Sequence, residues 1–251
     1  DEAYLDLTDH LNGRTATAIA QEIRARIFAT TGLTASAGVS YNKFLAKLAS
    51  DQNKPVGLCV ITPDRGPAFV LDLPLSKFHG IGPATAARMQ AMGLHTGADL
   101  RAQSLEFLIR RFGKSGRYYW AISRGIDHRQ VNPDRIRKSV GAENTFASDL
   151  MTLEAAQDAL PPLATKVWDH VTRHAVLGRT VTLKVKFSDF QQITRARTLP
   201  VPVSSQAQML SLACDLAAGV LPDPRGVRLL GISLSGLRRR DEDGPEQLSL
   251  F

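Results

Sequence analysis

Between residues 75 and 125 the chain carries no run of β-branched residues; short helical patterns follow one another, punctuated by Gly80, Gly82, Gly93, Gly97 and Gly113. Such a stretch predicts a small all-α domain and so divides the chain. Upstream, DEAYLDLTD (1–9) alternates, with Ala3, Leu5 and Leu7 on one side and Tyr4, Asp6 and Thr8 on the other, which predicts a half-buried strand. Ile19, Ala20, Ile23 and Ile27 recur at helical spacing and predict an amphipathic helix over 15–29. A strand over 33–39, a helix over 43–50 that Asn42 can cap, and a strand over 57–61 follow. Helices alternate with strands in this first piece, which marks it as α/β or α+β.

Downstream of the all-α stretch, QVNPDRIRK (130–138) is polar, contains proline and lacks periodicity, as an interdomain linker does. Beyond it come a strand (139–146), a helix (153–174), two strands (179–187 and 191–200), a helix (205–217) and a strand (227–237). That βαββαβ order predicts four strands covered by two helices on one face. The last residues, DEDGPEQLSLF (241–251), form an acidic spacer with an apolar tip and are expected to be disordered alone.

With 251 residues, 43% of them hydrophobic, the chain has material for two or more domains. Its two cysteines, Cys59 and Cys214, form no CxxC pair, which excludes a disulfide framework or a structural zinc site and fits a reducing, cytoplasmic compartment. No apolar run approaches the ~18 residues of a membrane span. The sequence opens on Asp1, inside a predicted strand, and reads as the C-terminal part of a longer protein. Net charge is +7, and it is unevenly spread: residues 75–137 hold eleven basic against four acidic residues, and 138–240 hold thirteen against eight. Basic blocks of this kind attract a polyanion, most often a nucleic-acid backbone, although a merely basic soluble surface has the same composition.

Five groups of residues could carry chemistry. Asp1 and Glu2 are adjacent acids that can converge only at a tight turn; together they would offer oxygen ligands to Mg²⁺, and apart they are two solvated acids. Gly80 and Gly82 precede a helix that Pro83 opens, where backbone N–H groups can approach a phosphate; an ordinary αα-hairpin is the plainer reading. Lys43 and Lys47 share a helical face, and Lys54 sits in the next loop, where a lysine can oppose a triphosphate or simply face water. His170 and His174 are four apart on a helix, but no general base lies between them. Gln247, Leu248, Leu250 and Phe251 end the chain as a frayed terminus would, or as a short docking peptide would.

Taken together, DEAYLDLTD, TASAGVSYNKFLAKLASDQNKP, SKFHGIGPATAARMQAMGL, KSVGAENTF and VKFSDFQQITR resemble, in order, motifs of the Y-family DNA polymerases, most closely the bacterial DNA polymerase IV branch. The resemblance implies a multidomain α+β fold: a partial α/β palm (1–74), an all-α thumb with a helix–hairpin–helix (75–129), a linker (130–138), a βαββαβ little finger (139–240) and a clamp-docking tail (241–251). It implies translesion DNA synthesis, with two Mg²⁺ ions held by Asp1 and Glu2 and with Lys54 on the incoming dNTP. Gly80 and Gly82 would hold the primer backbone; Lys138, Ser139, Lys184, Lys186 and Arg195 would touch template phosphates; and Gln247, Leu248, Leu250 and Phe251 would dock on the bacterial β sliding clamp. The partners implied are primer–template DNA, damaged DNA included, with no membrane and a monomeric state.

In the family a further metal-binding aspartate, the aromatic residue that excludes ribonucleotides and the fingers lie upstream of the first motif, so the chain as printed is expected not to polymerise alone and to leave a palm edge uncovered. A second reading from another class is a catalytically silent protein that binds primer–template DNA and the clamp.

Overall fold

The computed structural model describes residues 2–239. The chain divides into two compact units, residues 1–133 and 134–251, with the boundary inside the polar stretch 130–138.

In the first unit, Thr15 caps helix α1 (Ala16–Thr31) by accepting from the Ala18 N–H, and Gly32 ends it in the left-handed conformation. Strands β1 (Ala37–Ser40) and β2 (Leu58–Ile61) pair in parallel, and α2 (Lys43–Gln52) connects them. Asn42 caps α2 by accepting from the Leu45 N–H, a contact worth about 1 kcal/mol. Phe44, Leu45, Leu48 and Ala49 are buried along one face of α2. A two-stranded sheet is too small to bury that face by itself. The core is completed by residues from α3 (Gly66–Phe69) onward: α4 (Pro83–Gln90), α5 (Gly97–Arg101), α6 (Leu105–Phe112) and α7 (Ser115–Ile122) contribute Met89, Leu100, Leu108 and Ile122 to the cluster that holds Phe44. Phe44 meets Phe78 at a ring separation of 5.4 Å. The predicted palm and thumb pieces therefore pack round one apolar core.

Residues 2–9 form no strand, contrary to the alternating pattern. A strand needs a ladder partner for its backbone, and this segment has none among the described residues; Leu5 is left 62% exposed.

The second unit is a four-stranded antiparallel sheet in the order β3 (Ser139–Leu150), β7 (Val227–Ser235), β5 (Thr180–Phe187), β6 (Gln192–Thr198). A further pair, β4 (Val176–Leu177) and β8 (Arg238–Arg239), lies outside it. Helices α8 (Leu153–Asp158), α9 (Pro161–Arg173) and α10 (Gln206–Ala218) supply one core with the sheet. The single helix predicted over 153–174 is two, because Pro161 and Pro162 supply no N–H to a continuing helix and instead start α9. On β5, Val181, Leu183, Val185 and Phe187 are buried while Thr180, Thr182, Lys184 and Lys186 alternate with them on the face away from the helices.

Candidate active site and nucleic-acid interface

The start of the chain meets α2 through a run of alternating charges. Lys47 Nζ donates to Glu2 Oε1 at 2.6 Å and to Asp51 at 3.1 Å, and Asp51 accepts from Lys54 at 2.7 Å. Helical spacing makes this possible, since positions 43, 47 and 51 share the face of α2 opposite its buried side chains. Lys47, a solvated-face residue by pattern, is only 13% exposed. Its hydrogen bond holds the Glu2 carboxyl below the ordinary range, so Glu2 is a charged oxygen donor. Burial opposes the Lys47 charge, but the bonds to Glu2 and Asp51 outweigh it and raise its pKa. The charge of Lys47 was invisible in the pattern as a partner for Glu2, because the two are 45 residues apart.

Glu2 is a hard, exposed carboxylate of the kind Mg²⁺ takes, and Asp1, its proposed companion, lies outside the described residues. Among the described residues no three His, Cys, Asp or Glu side chains gather as a metal site. His170 and His174 stack at 3.9 Å, but the Arg137 guanidinium stands 3.2 Å from a His170 ring nitrogen, a cation where a metal would have to sit.

At the hairpin, Gly80 has φ +95°, and a Cβ there would stand 2.9 Å from the Tyr118 ring, so the position requires glycine twice over. Tyr118 donates its hydroxyl proton to the His79 carbonyl at 3.0 Å and pins the turn. Gly82 caps α4 with open space around its Cα, leaving room for a ligand's approach. Arg88 is committed internally: it stacks on Phe112 and donates to the Arg111 carbonyl.

On the second unit, Lys184 and Lys186 rise from the open face of the sheet, and Lys184 pairs with Glu143 at 2.7 Å. Across from Lys184 and Thr182 stand Gly231 and Ser233 of β7, and Thr194 of β6 completes the row. Ser139 joins this face at the end of β3, opposite Ser235, with Lys138 next to it. Thr182, Thr194, Gly231 and Ser233 escaped the sequence reading, which named Ser139 as the one uncharged residue of this face. Arg195 is not brought to this face: it pairs across from Leu183, so it leaves β6 on the helix side, where its neighbour Arg197 binds Asp215 of α10 at 3.1 Å. The docking residues Gln247, Leu248, Leu250 and Phe251 lie outside the described residues.

Residues 1–51 match the impB/mucB/samB family, 63–94 the IMS family HHH motif, and 137–250 the impB/mucB/samB family C-terminal domain. DNA polymerase IV 2 of Agrobacterium fabrum (strain C58) is 58% identical over 248 residues, covering 98% of this chain and 70% of the relative. The chain belongs to the Y-family DNA polymerases, in the DNA polymerase IV branch. DNA polymerase IV 3 of Mesorhizobium japonicum is 59% identical, over 94% of this chain and 66% of its own length, and DNA polymerase IV of Gluconobacter oxydans 55%, over 100% and 71%. Among solved structures, a Y-family DNA polymerase chimera of Dbh and Dpo4 superposes with a TM-score of 0.75 at 23% identity, covering 94% of this chain and 68% of that one. DinB from Sulfolobus solfataricus gives 0.52 at 23% identity, over 94% and 69%. These two structures establish the Y-family fold. No helix among the described residues is long and apolar enough to cross a membrane.

Proposed function

We propose that the protein is a template-directed DNA polymerase of the lesion-bypass type, adding dNTPs to a primer 3′-hydroxyl in the bacterial cytoplasm. The observation that carries this is the match, over 98% of the chain, to a relative named DNA polymerase IV 2. None of the three relatives named above favours the reading as a silent binder.

Asp1 and Glu2 would hold the divalent cations, two Mg²⁺ ions, which supply charge neutralisation for an in-line displacement when bound. The chain's own part is to keep Glu2 ionised through Lys47 and to present Lys54, paired at rest with Asp51, as a counter-charge for a triphosphate. Gly80 and Gly82 open the hairpin to the primer backbone. Lys184, Lys186, Lys138 and Ser139 face the template phosphates from the open sheet.

The test is primer extension with Mg²⁺ on an undamaged primer–template, using both the 251-residue chain and the full natural translation product. Mg²⁺-dependent addition by the full product supports the reading, and DNA binding without any addition overturns it.

A salt titration of DNA affinity reports on the sheet. Lys184→Ala and Lys186→Ala are each expected to lower the slope of log K against log salt by about 0.9, one phosphate's worth. Arg195→Ala, on the other face, is expected to leave the slope unchanged.

For the tail, deleting Gln247 to Phe251 is expected to abolish binding to the β sliding clamp in a pull-down while DNA affinity stays the same. Clamp binding that survives the deletion would remove the tail from that role. The protein is expected to bind both partners as a monomer.

A further inference from the structure

The segment from Gly125 to Gln130, after the end of α7, is neither helix nor strand, yet it is bonded tightly in two directions. Toward the palm it holds the start of α2. The Gly125 carbonyl accepts from Asn42 Nδ2 at 2.8 Å and from the Tyr41 hydroxyl at 3.2 Å. Asp127 Oδ2 accepts from the Phe44 N–H at 3.1 Å, and the Gln130 carbonyl accepts from Lys43 Nζ at 3.3 Å. Toward the hairpin it works through one guanidinium. Arg129 Nε and Nη2 each reach the Asp127 carboxylate at 2.8 Å, and Nη2 also donates to the Tyr118 hydroxyl at 3.1 Å. The same guanidinium lies 4.7 Å from the centre of the Tyr118 ring. Tyr118 in turn donates to the His79 carbonyl, and its ring fills the space beside Gly80.

A helix cap alone needs only Asp127, whose side chain is 2% exposed. What the cap does not explain is the second use of the guanidinium on a tyrosine whose other bond ends in the hairpin turn. A planar fork can grip both oxygens of a carboxylate with two N–H groups and still reach a hydroxyl, a spread of donors that an ammonium, with all three on one atom, does not reproduce.

The geometry points to Arg129 as a positioning residue: with Asp127 and Tyr118 it forms a strap that fixes the start of α2, and so Lys47 and Lys54, relative to the Gly80–Gly82 hairpin. This rests on the polymerase reading, in which α2 serves the nucleotide and the hairpin serves the primer. Arg129 touches neither; it sets the distance between their holders, and small misplacements of that kind cost rate steeply.

The strap predicts a pattern across three variants of the full natural product, measured as primer–template Kd, dNTP KM and melting temperature. Tyr118→Phe keeps the ring and loses the bond to His79, so Kd is expected to rise about 5-fold with KM unchanged. Arg129→Lys keeps a charge on Asp127 without spanning to Tyr118, and is expected to reproduce the same Kd rise at wild-type KM. Arg129→Ala frees both ends, and Kd and KM are expected to rise together, KM by about 10-fold. If Arg129→Ala lowers only the melting temperature, with Kd and KM at wild-type values in the folded protein, Arg129 is a structural brace and the strap is overturned. Should that variant fail to fold, wild-type Kd in both Tyr118→Phe and Arg129→Lys overturns it equally. A wild-type protein that adds no nucleotide sinks the polymerase reading, and the Kd arm then decides the strap alone.

Discussion

Replacing Glu2 by Gln is expected to lower the rate of nucleotide addition by about a thousandfold, the equivalent of ~4 kcal/mol of lost charge stabilisation at the reacting phosphate. The expectation comes from what the residue does and does not hold together. Glu2 is more than half exposed and belongs to no helix or strand, so its loss leaves the core untouched. Lys47 keeps its second partner, Asp51, so no buried lysine is stranded. What disappears is one charged oxygen, the proposed cation ligand, while the amide that replaces it still fills the space. Primer–template affinity, which we propose to rest on the hairpin and the open sheet, is expected to stay at its wild-type value. Rapid-quench extension and an anisotropy titration on the same preparation separate the two quantities. A variant that extends primers normally would take Glu2 out of the site. Because Lys47 holds the Glu2 carboxyl below the ordinary glutamate range, that carboxylate remains charged as pH falls toward that range. Any loss of activity in mildly acidic buffer therefore belongs to another group.

Gly38→Ala is the second large effect, and it strikes through the backbone. A Cβ at Gly38 would stand 2.0 Å from the Ala46 carbonyl oxygen and 2.3 Å from the Ser50 nitrogen, both main-chain atoms of α2. Nothing there can rotate aside, so the helix itself must move away from β1 by more than about 1 Å to restore van der Waals separation. Overpacking of this severity costs about 3 kcal/mol, at the upper end of the usual range. For a protein of this size that lowers the melting temperature by about 6–12 °C. The displaced helix carries Lys47 and leads to Lys54, so extension by the variant, assayed below its melting point, is expected to fall about a hundredfold. Gly82→Ala is the comparison: no atom lies within 4 Å of the added methyl group, and its backbone conformation suits any residue, so the melting temperature is expected to stay put. If both variants melt alike, the close packing of α2 on β1 is not what positions the lysines.

Much of this arrangement can be read along the chain. α2 announces itself by its cap and by the spacing of its apolar residues, and β5 by strict alternation. The information lost is information about pairing. The alternation of residues 2–9 is real, but alternation becomes a strand only against a neighbour. Arg195 and Lys184 sit in strands of equal promise, yet the face of each depends on the register that sets Leu183 against Arg195. The double proline that separates α8 from α9 is visible in the sequence, and it marks a break that a single helix over 153–174 passes over. Asp127 and Arg129 carry no periodic signal at all, because the N–H that Asp127 receives comes from Phe44, 83 residues earlier. Lys47 is the intermediate case: its face was legible from the i, i+4 spacing, its burial was not.

The open face of the second unit's sheet is built low. Gly231, Ser233 and Ser235 run down β7 between the threonines and lysines of β5 and the short side chains at the end of β3, and Thr180 spends its hydroxyl on Thr198 at 2.9 Å. From Gly231 to Ser235 no large side chain stands up from that central strand to lock into a groove or to distinguish one base from another; Leu229, across from Lys186, closes the row at its far end. A polyanion lying along it meets much the same hydroxyls and ammonium groups after moving by one repeat as before. Such a surface resists lifting far more than it resists sliding, and with template phosphates laid on it as proposed it would work as a bearing for a protein that must advance one nucleotide at a time.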